Sequence, residues 1–408
     1  MIAEKRVLLS YLGRFVRIGV VLASPLFLWA QSSNSSANPA VPSGSNSDSG
    51  SWWKGITTDG FLSLSYTYNT NDPIPELNQF RVFDFNDDHP QIDVAQLVIQ
   101  HPVGESGNFG FRLNMIAGSG VPEVTAAYGM FRNTKTGAGR NYDIPEFYLS
   151  YVVPVGKGLR LDAGKFFTPF GYEVIGGYDG YNNNFSRGFI FGYGLPFTHT
   201  GLKVSYPFSG RISGALLATN SCDAVTRMNG GVTFAGQLAV VTSKATTLTF
   251  NFLHGPERPH NNHDKRSLYE MVGTWKVSPR LSLAFDGLYA DEDHAAKNGS
   301  DAIWKGLAGY SKYNFTKAFS AAFRGEVFAD IGGSRTGTTQ TLRGFTLTPE
   351  YDLPAKFSRI RDEFKRADGK VALRGEIRRD FSDQNTFRKG TGFTNHQITT
   401  AANLIYLF

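Results

Sequence analysis

Charged residues of opposite sign recur at every second position in several segments, as in Arg324 and Glu326. Residues spaced by two lie on the same face of an extended strand, because side chains alternate between its two faces. Charges arranged in this way can filter ions where they line a water-filled passage, or they can be wall residues paired across neighbouring strands. The residues that we expect to form this surface are Arg160, Asp162, Arg324, Glu326, Arg374, Glu376 and Arg378.

A second group of charged residues lies in 168–197, the longest segment without strand character. It contains Glu173, Asp179 and Arg187, together with several glycines and three consecutive asparagines. A loop of this length is more often functional than idle. We therefore count these three residues with the candidate site.

Other groupings could bind a metal or form a catalytic group, but their context favours simpler explanations. Three histidines and Asp264 lie between positions 254 and 264 and could ligate a metal, although a hydrated surface loop explains them as well. Ser186 and His199 follow Asp179, yet no nucleophile motif such as G-x-S-x-G surrounds the serine. The glycines form no phosphate-binding pattern. We expect no catalytic residue, no metal and no cofactor.

The elements that must position the charged residues are β-strands. From Asp59 onward, segments of about ten residues with a period of two follow one another, a pattern typical of membrane-spanning strands. No window approaches the ~18 unbroken apolar residues of a spanning helix. The sixteen predicted strands are 59–68, 91–100, 109–118, 143–153, 158–167, 198–206, 210–219, 232–242, 245–254, 267–277, 280–290, 303–313, 318–329, 340–351, 369–380 and 396–407.

The connections between these strands alternate between tight turns and long polar loops. Tight turns such as Ser278-Pro279 follow every second strand, and loops such as 168–197 follow the others. Short periplasmic turns and long extracellular loops are typical of outer-membrane barrels. The segment 352–368 is an exception, because it is long where a short turn is expected. The sequence thus predicts an all-β fold, a transmembrane antiparallel β-barrel of about sixteen strands. We take the aromatic-bearing face of each strand as the face that points to lipid.

The last twelve residues, 397–408, support this interpretation. An apolar face carries Phe408, Tyr406 and Leu404, and it is opposed by small or polar residues. Such a strand resembles the terminal strand of bacterial outer-membrane barrels, in which a final Phe belongs to the signal that the barrel-assembly machinery recognises. The resemblance implies that Tyr406 and Phe408 form an assembly signal.

The N-terminal part predicts export. Four basic residues precede an apolar run at 18–29, and Ala30 is a plausible cleavage point, which indicates a signal peptide over 1–30. Its removal lowers the formal charge from +6 to +3, so nucleic-acid binding is not implied. Residues 31–54 are rich in Ser and Asn and predict a flexible periplasmic lead-in to a barrel at 55–408. The single cysteine excludes an intrachain disulfide.

Several motifs resemble a known family. These are LDAGKFFTPFGYE (161–173), NNNFSR (182–187), LPFTHTG (195–201), LTPEY (347–351) and RGEIRRDFS (374–382). Together they resemble β-barrel porin family 2 of the bacterial outer membrane, from about residue 55 to the C-terminus. The resemblance implies a pore-forming barrel with no assigned solute. It also suggests that the loop 168–197 folds inward and sets a constriction, as in general porins, the alternative being an external flap.

The expected function is therefore that of an outer-membrane porin in contact with membrane lipid, through which small hydrophilic solutes or ions diffuse passively. The resemblance allows a homotrimer. Two rival interpretations remain open, both built on a barrel. One is an outer-membrane enzyme of the phospholipase or protease type, although no cluster of catalytic groups is recognisable. The other is a plugged adhesive or structural surface protein.

Overall fold

The computed structural model describes residues 55–104, 106–121, 131, 139–175, 177, 181–353 and 370–408. The predicted signal peptide (1–30) and lead-in (31–54) lie outside the described residues, as do Asp179 and most of the segment 352–368. Among the described residues, no helix has the length and hydrophobicity needed to cross a membrane.

The regular secondary structure of the described residues consists almost entirely of antiparallel strands. In chain order they are β1 (Thr57–Asn69), β2 (His89–His101), β3 (Phe109–Ala117), β4 (Tyr142–Val153), β5 (Leu159–Phe167), β6 (Thr198–Tyr206), β7 (Ile212–Thr219), β8 (Thr233–Ser243), β9 (Thr246–Gly255), β10 (Arg266–Lys276), β11 (Leu281–Glu292), β12 (Ala302–Asn314), β13 (Phe319–Asp330), β14 (Gln340–Asp352), β15 (Lys370–Ser382), β16 (Phe387–Lys389), β17 (Gly392–Thr394) and β18 (His396–Leu407). Each barrel strand pairs with its neighbour in the chain, and β18 pairs with β1 to close the ring.

The barrel has sixteen strands, because β16 and β17 form a separate hairpin between β15 and β18. All sixteen predicted strands are confirmed, with ends that differ by at most two residues. The small hairpin and a short helical turn at Ile190–Gly194 were not predicted. We call the end with the short turns the periplasmic end and the end with the long loops the extracellular end.

In the middle of β13, charged side chains lie on the inner face of the barrel wall and apolar side chains lie on the outer face. On β13, Phe319, Phe323 and Val327 are exposed on the outside, whereas Arg324 and Glu326 are buried on the inside. This segregation is required, because a basic side chain on the lipid face costs ~2–4 kcal/mol near the membrane midplane.

The lumen is not polar throughout. A buried apolar cluster fills much of it toward the extracellular end and packs against Phe189 and Ile190 of the β5–β6 loop. The prediction that the aromatic-bearing face of each strand points to lipid is wrong on β12, where Trp304 and Tyr310 point inward and are buried. The wall residues of the cluster are Phe166, Leu217, Ala235, Leu253, Leu268, Leu288, Ala290, Trp304, Ala308, Tyr310, Phe328 and Leu342.

The C-terminal residue takes part in barrel closure. The N–H of Gly60 donates to the Phe408 carbonyl oxygen (2.8 Å), and the N–H of Phe408 donates to the Gly60 carbonyl oxygen (3.1 Å). The Phe408 ring covers Gly60 so closely that a Cβ atom there would lie 2.1 Å from the ring. Only glycine fits beneath this ring.

We expect Gly60→Val to displace Phe408 and weaken the β1–β18 pairing. The amount of folded, heat-modifiable barrel on a gel should fall severalfold. Gly309→Val is the matched control, because no atom lies within 4 Å of a Cβ added at Gly309. Equal folded amounts for the two variants would show that Phe408 does not support closure.

Candidate functional site

The described residues of the loop between β5 and β6 (168–197) lie inside the barrel, as predicted; we call this segment the inserted loop. Its backbone N–H groups donate to carboxylates of the wall. The N–H groups of Phe185 and Ser186 donate to Glu376 (2.7 and 3.0 Å), and that of Phe189 donates to Glu326 (2.6 Å). Charge-assisted bonds of this kind are stronger than bonds between neutral groups.

Arginines of the same wall donate to carbonyl oxygens of the inserted loop. Arg324 donates to the carbonyl oxygen of Ser186 (2.6 Å). Arg378 donates to that of residue 187 (2.6 Å), and Arg374 to that of residue 182 (2.7 Å). The basic residues of β13 and β15 thus bond carbonyl oxygens of the loop, and the acidic residues of the same strands bond its N–H groups.

The charged side chains at this contact also pair with one another. Arg324 donates to Glu173 of the loop (2.6 Å) and forms an ion pair with Glu326 on its own strand (3.1 Å). Arg378 donates to Asp380 (2.7 Å). Arg324 and Arg378 are 0% exposed. Burying such charges is tolerated only with close, well-bonded partners, and these partners are present.

Several predicted site residues therefore meet at one contact between loop and wall. Glu173 faces Arg324 within the protein and is 3% exposed, so no water-filled gap separates them. Arg187 is also buried, and its guanidinium donates to carbonyl oxygens of the loop itself, at residues 174, 175 and 185. Whether these residues control ion passage stays a prediction.

The first residues of the inserted loop lie against the next part of the barrel wall, β8 to β11. The N–H of Gly171 donates to Glu270 on β10 (3.1 Å), and the N–H of Tyr172 donates to Asp286 on β11 (3.0 Å). Gln237 on β8 donates to the carbonyl oxygen of Pro169 (2.6 Å). The loop thus crosses the lumen and is bonded to several strands of the wall.

The last residues of the inserted loop are held at the extracellular rim. The carboxylate of Asp223, in the loop between β7 and β8, accepts the N–H groups of Phe197 (2.9 Å) and Thr198 (2.7 Å). Burial raises the pKa of the Asp223 carboxyl above its usual value, although the two N–H donors act in the opposite direction.

A second loop, between β1 and β2, also reaches the lumen wall, and sequence reasoning missed it. Arg81 is buried, pairs with Asp84 of its own loop, and donates to Asp380 (3.0 Å) and Thr399 (2.8 Å) of the wall. The sequence does contain one indication that this loop is buried, since Arg81 lies among the apolar residues Phe80, Val82 and Phe83 in an otherwise polar loop.

The inserted loop leaves part of the lumen wall uncovered. Toward the periplasmic end, the inner face of β7–β10 carries several small side chains; Ser213 is exposed, and Ala239, Thr247, Thr249 and Thr274 are partly exposed. A cavity of about 60 Å³ lies here beneath Pro169 and Gly171. By contrast, the inward-facing charges at the middle of β13 and β15 are buried.

Arg160 and Asp162 lie apart from the contact between loop and wall, near the periplasmic end. Asp162 pairs with Arg160 (2.8 Å) and with Lys203 of β6 (3.2 Å). We call these three residues the β5–β6 triad. Among the predicted site residues, only this pair belongs to it.

A similar group lies on the other side of the barrel. Glu350 of β14 pairs with Lys312 of β12 (3.5 Å) and with Lys370 of β15 (3.6 Å). We call it the β12–β15 triad. Lys312 was not among the predicted site residues, because it shares a strand face with Trp304 and Tyr310. The face that carries the aromatic residues was taken to point to lipid.

Within the described ranges, no three His, Cys, Asp or Glu side chains are grouped so that they could hold a metal ion. The histidine-rich segment is instead held by Asp264, which pairs with Arg258 and accepts a bond from Asn261 (2.8 Å).

Comparison with known proteins identifies relatives of this chain. The family model described as "Putative beta-barrel porin-2, OmpL-like" matches residues 55–408. No curated protein matches the chain.

Solved structures share the fold at low sequence identity. The anion-selective porin from Comamonas acidovorans matches with a TM-score of 0.55 and 9% identity, over 86% of this chain and 99% of that chain. The outer membrane channel DcaP of Acinetobacter baumannii (TM-score 0.51, 9% identity) covers 86% of this chain and 97% of its own. The outer-membrane expressed OmpT of Vibrio cholerae (TM-score 0.51, 10% identity) has the same coverage. At these identities the likeness concerns the fold alone.

Proposed function

The chain belongs to the beta-barrel porin-2, OmpL-like, family, and we propose that small hydrophilic solutes or ions diffuse passively through the part of its lumen that the inserted loop leaves open. Family and fold together indicate a channel of the outer membrane. Sixteen-stranded barrels are wide enough to enclose an aqueous channel unless loops fill them.

One observation carries the proposed path. The inserted loop covers the buried charges of β13 and β15, whereas on β7–β10 its bonds to Gln237 and Glu270 leave exposed or partly exposed small side chains toward the periplasmic end. Hydroxyl and amide groups line the cavity there, including those of Ser213, Thr249 and Asn251. Such groups can replace part of the hydration of a passing solute. The path therefore runs along β7–β10.

We expect Ala239→Trp to lower single-channel conductance severalfold in a planar bilayer. Ala239 faces the cavity, so a Trp side chain there would occupy the proposed path. Leu238→Trp is the matched control, because the neighbouring Leu238 is exposed on the outer face of the same strand. Equal conductance of the two variants would exclude a path along β7–β10.

A plugged surface barrel is the second candidate function, and the apolar cluster at the extracellular end favours it. The conductance of the unaltered protein decides between the two. A folded barrel that carries no current would support the plugged barrel and exclude the porin function.

Export and assembly follow the same proposal. A cleaved signal peptide over 1–30 would direct the chain to the periplasm, where the barrel-assembly machinery would recognise the C-terminal residues. Tyr406 and Phe408 support this, because their rings stack with centroids 5.3 Å apart. A homotrimer stays a prediction. N-terminal sequencing and native mass spectrometry of the exported protein test the cleavage and the oligomeric state.

A further inference from the structure

Five short turns at the periplasmic end share a charge pattern, from which the β2–β3 turn (102–108) departs, because its sequence has Glu105 and no basic residue. Each of the five short turns that are completely described, between β4 and β13, carries one basic residue and no acidic residue. No ion pair to any of these residues exists within the described part of the chain. The five basic residues are Lys157, Arg211, Lys244, Arg280 and Lys317.

The β5–β6 triad extends this positive charge into the lumen, because it sets two basic side chains against one carboxylate. In the β12–β15 triad, Lys370 also pairs with Asp352 (2.9 Å), so the two lysines there are balanced by two carboxylates. In the ring of sixteen strands, β6 and β14 are separated by eight strand positions, which is half of the circumference. The β5–β6 and β12–β15 triads therefore face each other across the periplasmic mouth.

Within each triad, the basic groups are more accessible to water than the carboxylate. In the β5–β6 triad, the side chains of Arg160 and Lys203 are 20% and 16% exposed, and that of Asp162 is 2% exposed. In the β12–β15 triad, the corresponding values are 25% for Lys312, 39% for Lys370 and 5% for Glu350, while Asp352, the second partner of Lys370, is 37% exposed. At the β5–β6 triad, a passing ion would therefore meet the ammonium and guanidinium groups before the carboxylate.

The same excess holds when all inward-facing charges near the mouth are considered. Within five residues of the periplasmic strand ends, seven basic residues oppose four acidic ones. The excess of three falls to two if Glu146, the partner of Arg112, is included. The basic residues are Arg112, Arg160, Lys203, Lys276, Lys312, Lys370 and Arg374, and the acidic residues are Asp59, Asp162, Glu350 and Asp352.

We propose that the periplasmic mouth selects small anions over cations, inorganic anions and small carboxylates being the ligand class. This inference rests on the proposed porin function and adds the sign of charge that the channel prefers. A mouth lined by one sign of charge raises the local concentration of the opposite ion. The preference is electrostatic and should weaken as salt shortens the Debye length.

The test measures the reversal potential of the purified channel in a bilayer of uncharged lipid. The potassium chloride gradient is kept at about 0.1 M, where the Debye length is about 10 Å. The wild-type channel should pass chloride in preference to potassium. The double variant Lys203→Gln/Lys312→Gln should lower the chloride-to-potassium permeability ratio about two- to fivefold, toward one. Each lysine would lie close enough to a passing ion to attract chloride and repel potassium through the water of the channel. Each substitution leaves a second basic partner on its carboxylate, so the fold should persist.

Lys297→Gln/Lys389→Gln is the matched control, because it removes the same charge from exposed extracellular positions. This control should keep the wild-type ratio. A conducting wild-type channel without anion preference, or a double variant with an unchanged ratio, overturns the inference and leaves the porin function intact.

A barrel that carries no current would instead contradict the proposed porin function. The basic mouth is then tested directly through chloride NMR line broadening with the detergent-solubilised barrel. Less broadening in Lys203→Gln/Lys312→Gln than in Lys297→Gln/Lys389→Gln would support an anion site at the mouth. Equal broadening would overturn it.

Discussion

Replacing the inserted loop by a two-residue Asn-Gly turn is expected to raise single-channel conductance severalfold and to admit larger sugars. Phe167 and Thr198 are direct cross-strand partners, so such a turn can join β5 to β6 without a change of register. The replacement removes the polypeptide that crosses the lumen, and a barrel of this strand number then leaves a wide aqueous channel.

The loop between β11 and β12, residues 293–301, provides a matched control. Glu292 and Ala302 are also direct partners, so the same two-residue turn can replace this loop. Its conductance should stay close to that of the wild type. A folded variant without the inserted loop that keeps the wild-type conductance and size limit would show that this loop lies outside the path.

The strands were predictable because their signal is local. Alternation with a period of two, together with short turns that alternate with long loops, predicted all sixteen strands to within two residues at each end. The hairpin β16–β17 and the turn at Ile190–Gly194 gave no such signal, since three to five residues are too few for a period to be recognised.

The orientation of some side chains was not predictable, because it depends on what fills the lumen. Trp304 and Phe328 point inward since the inserted loop supplies apolar partners there, Phe189 and Ile190. Alternation shows that two faces differ, but it cannot show which face meets lipid. Arg324 and Arg378 were correctly expected on the inner face, yet their loop partners are more than a hundred residues away in sequence.

Arg324→Met is expected to lower the free energy of unfolding by about 3–5 kcal/mol, since removing one partner of a buried ion pair leaves the other charge uncompensated. Arg324 is fully buried and bonds Glu173, the Ser186 carbonyl oxygen and Thr346. The unfolding of the barrel in urea, followed by tryptophan fluorescence, measures this difference.

Arg343→Met is the matched control, because Arg343 is exposed on the outer face of the neighbouring strand. Its effect should lie within about 0.5 kcal/mol of the wild type. A comparable loss in both variants would indicate that the buried network does not stabilise the folded barrel.

The double variant Arg324→Met/Glu173→Gln separates the charge from the packing. Glutamine keeps an acceptor for the Gly188 N–H, which Glu173 accepts at 2.6 Å, but carries no charge. Arg324→Met leaves the Glu173 carboxylate buried without its cationic partner. If this unpaired charge causes the loss of stability, the double variant should be more stable than Arg324→Met alone, with a coupling free energy of about 0.5–3 kcal/mol. If the two substitutions change the free energy of unfolding additively, Arg324 stabilises the barrel through its bonds to the Ser186 carbonyl oxygen and to Thr346. In either case the inserted loop should be less firmly held, so open-channel current noise in Arg324→Met should exceed that of Arg343→Met.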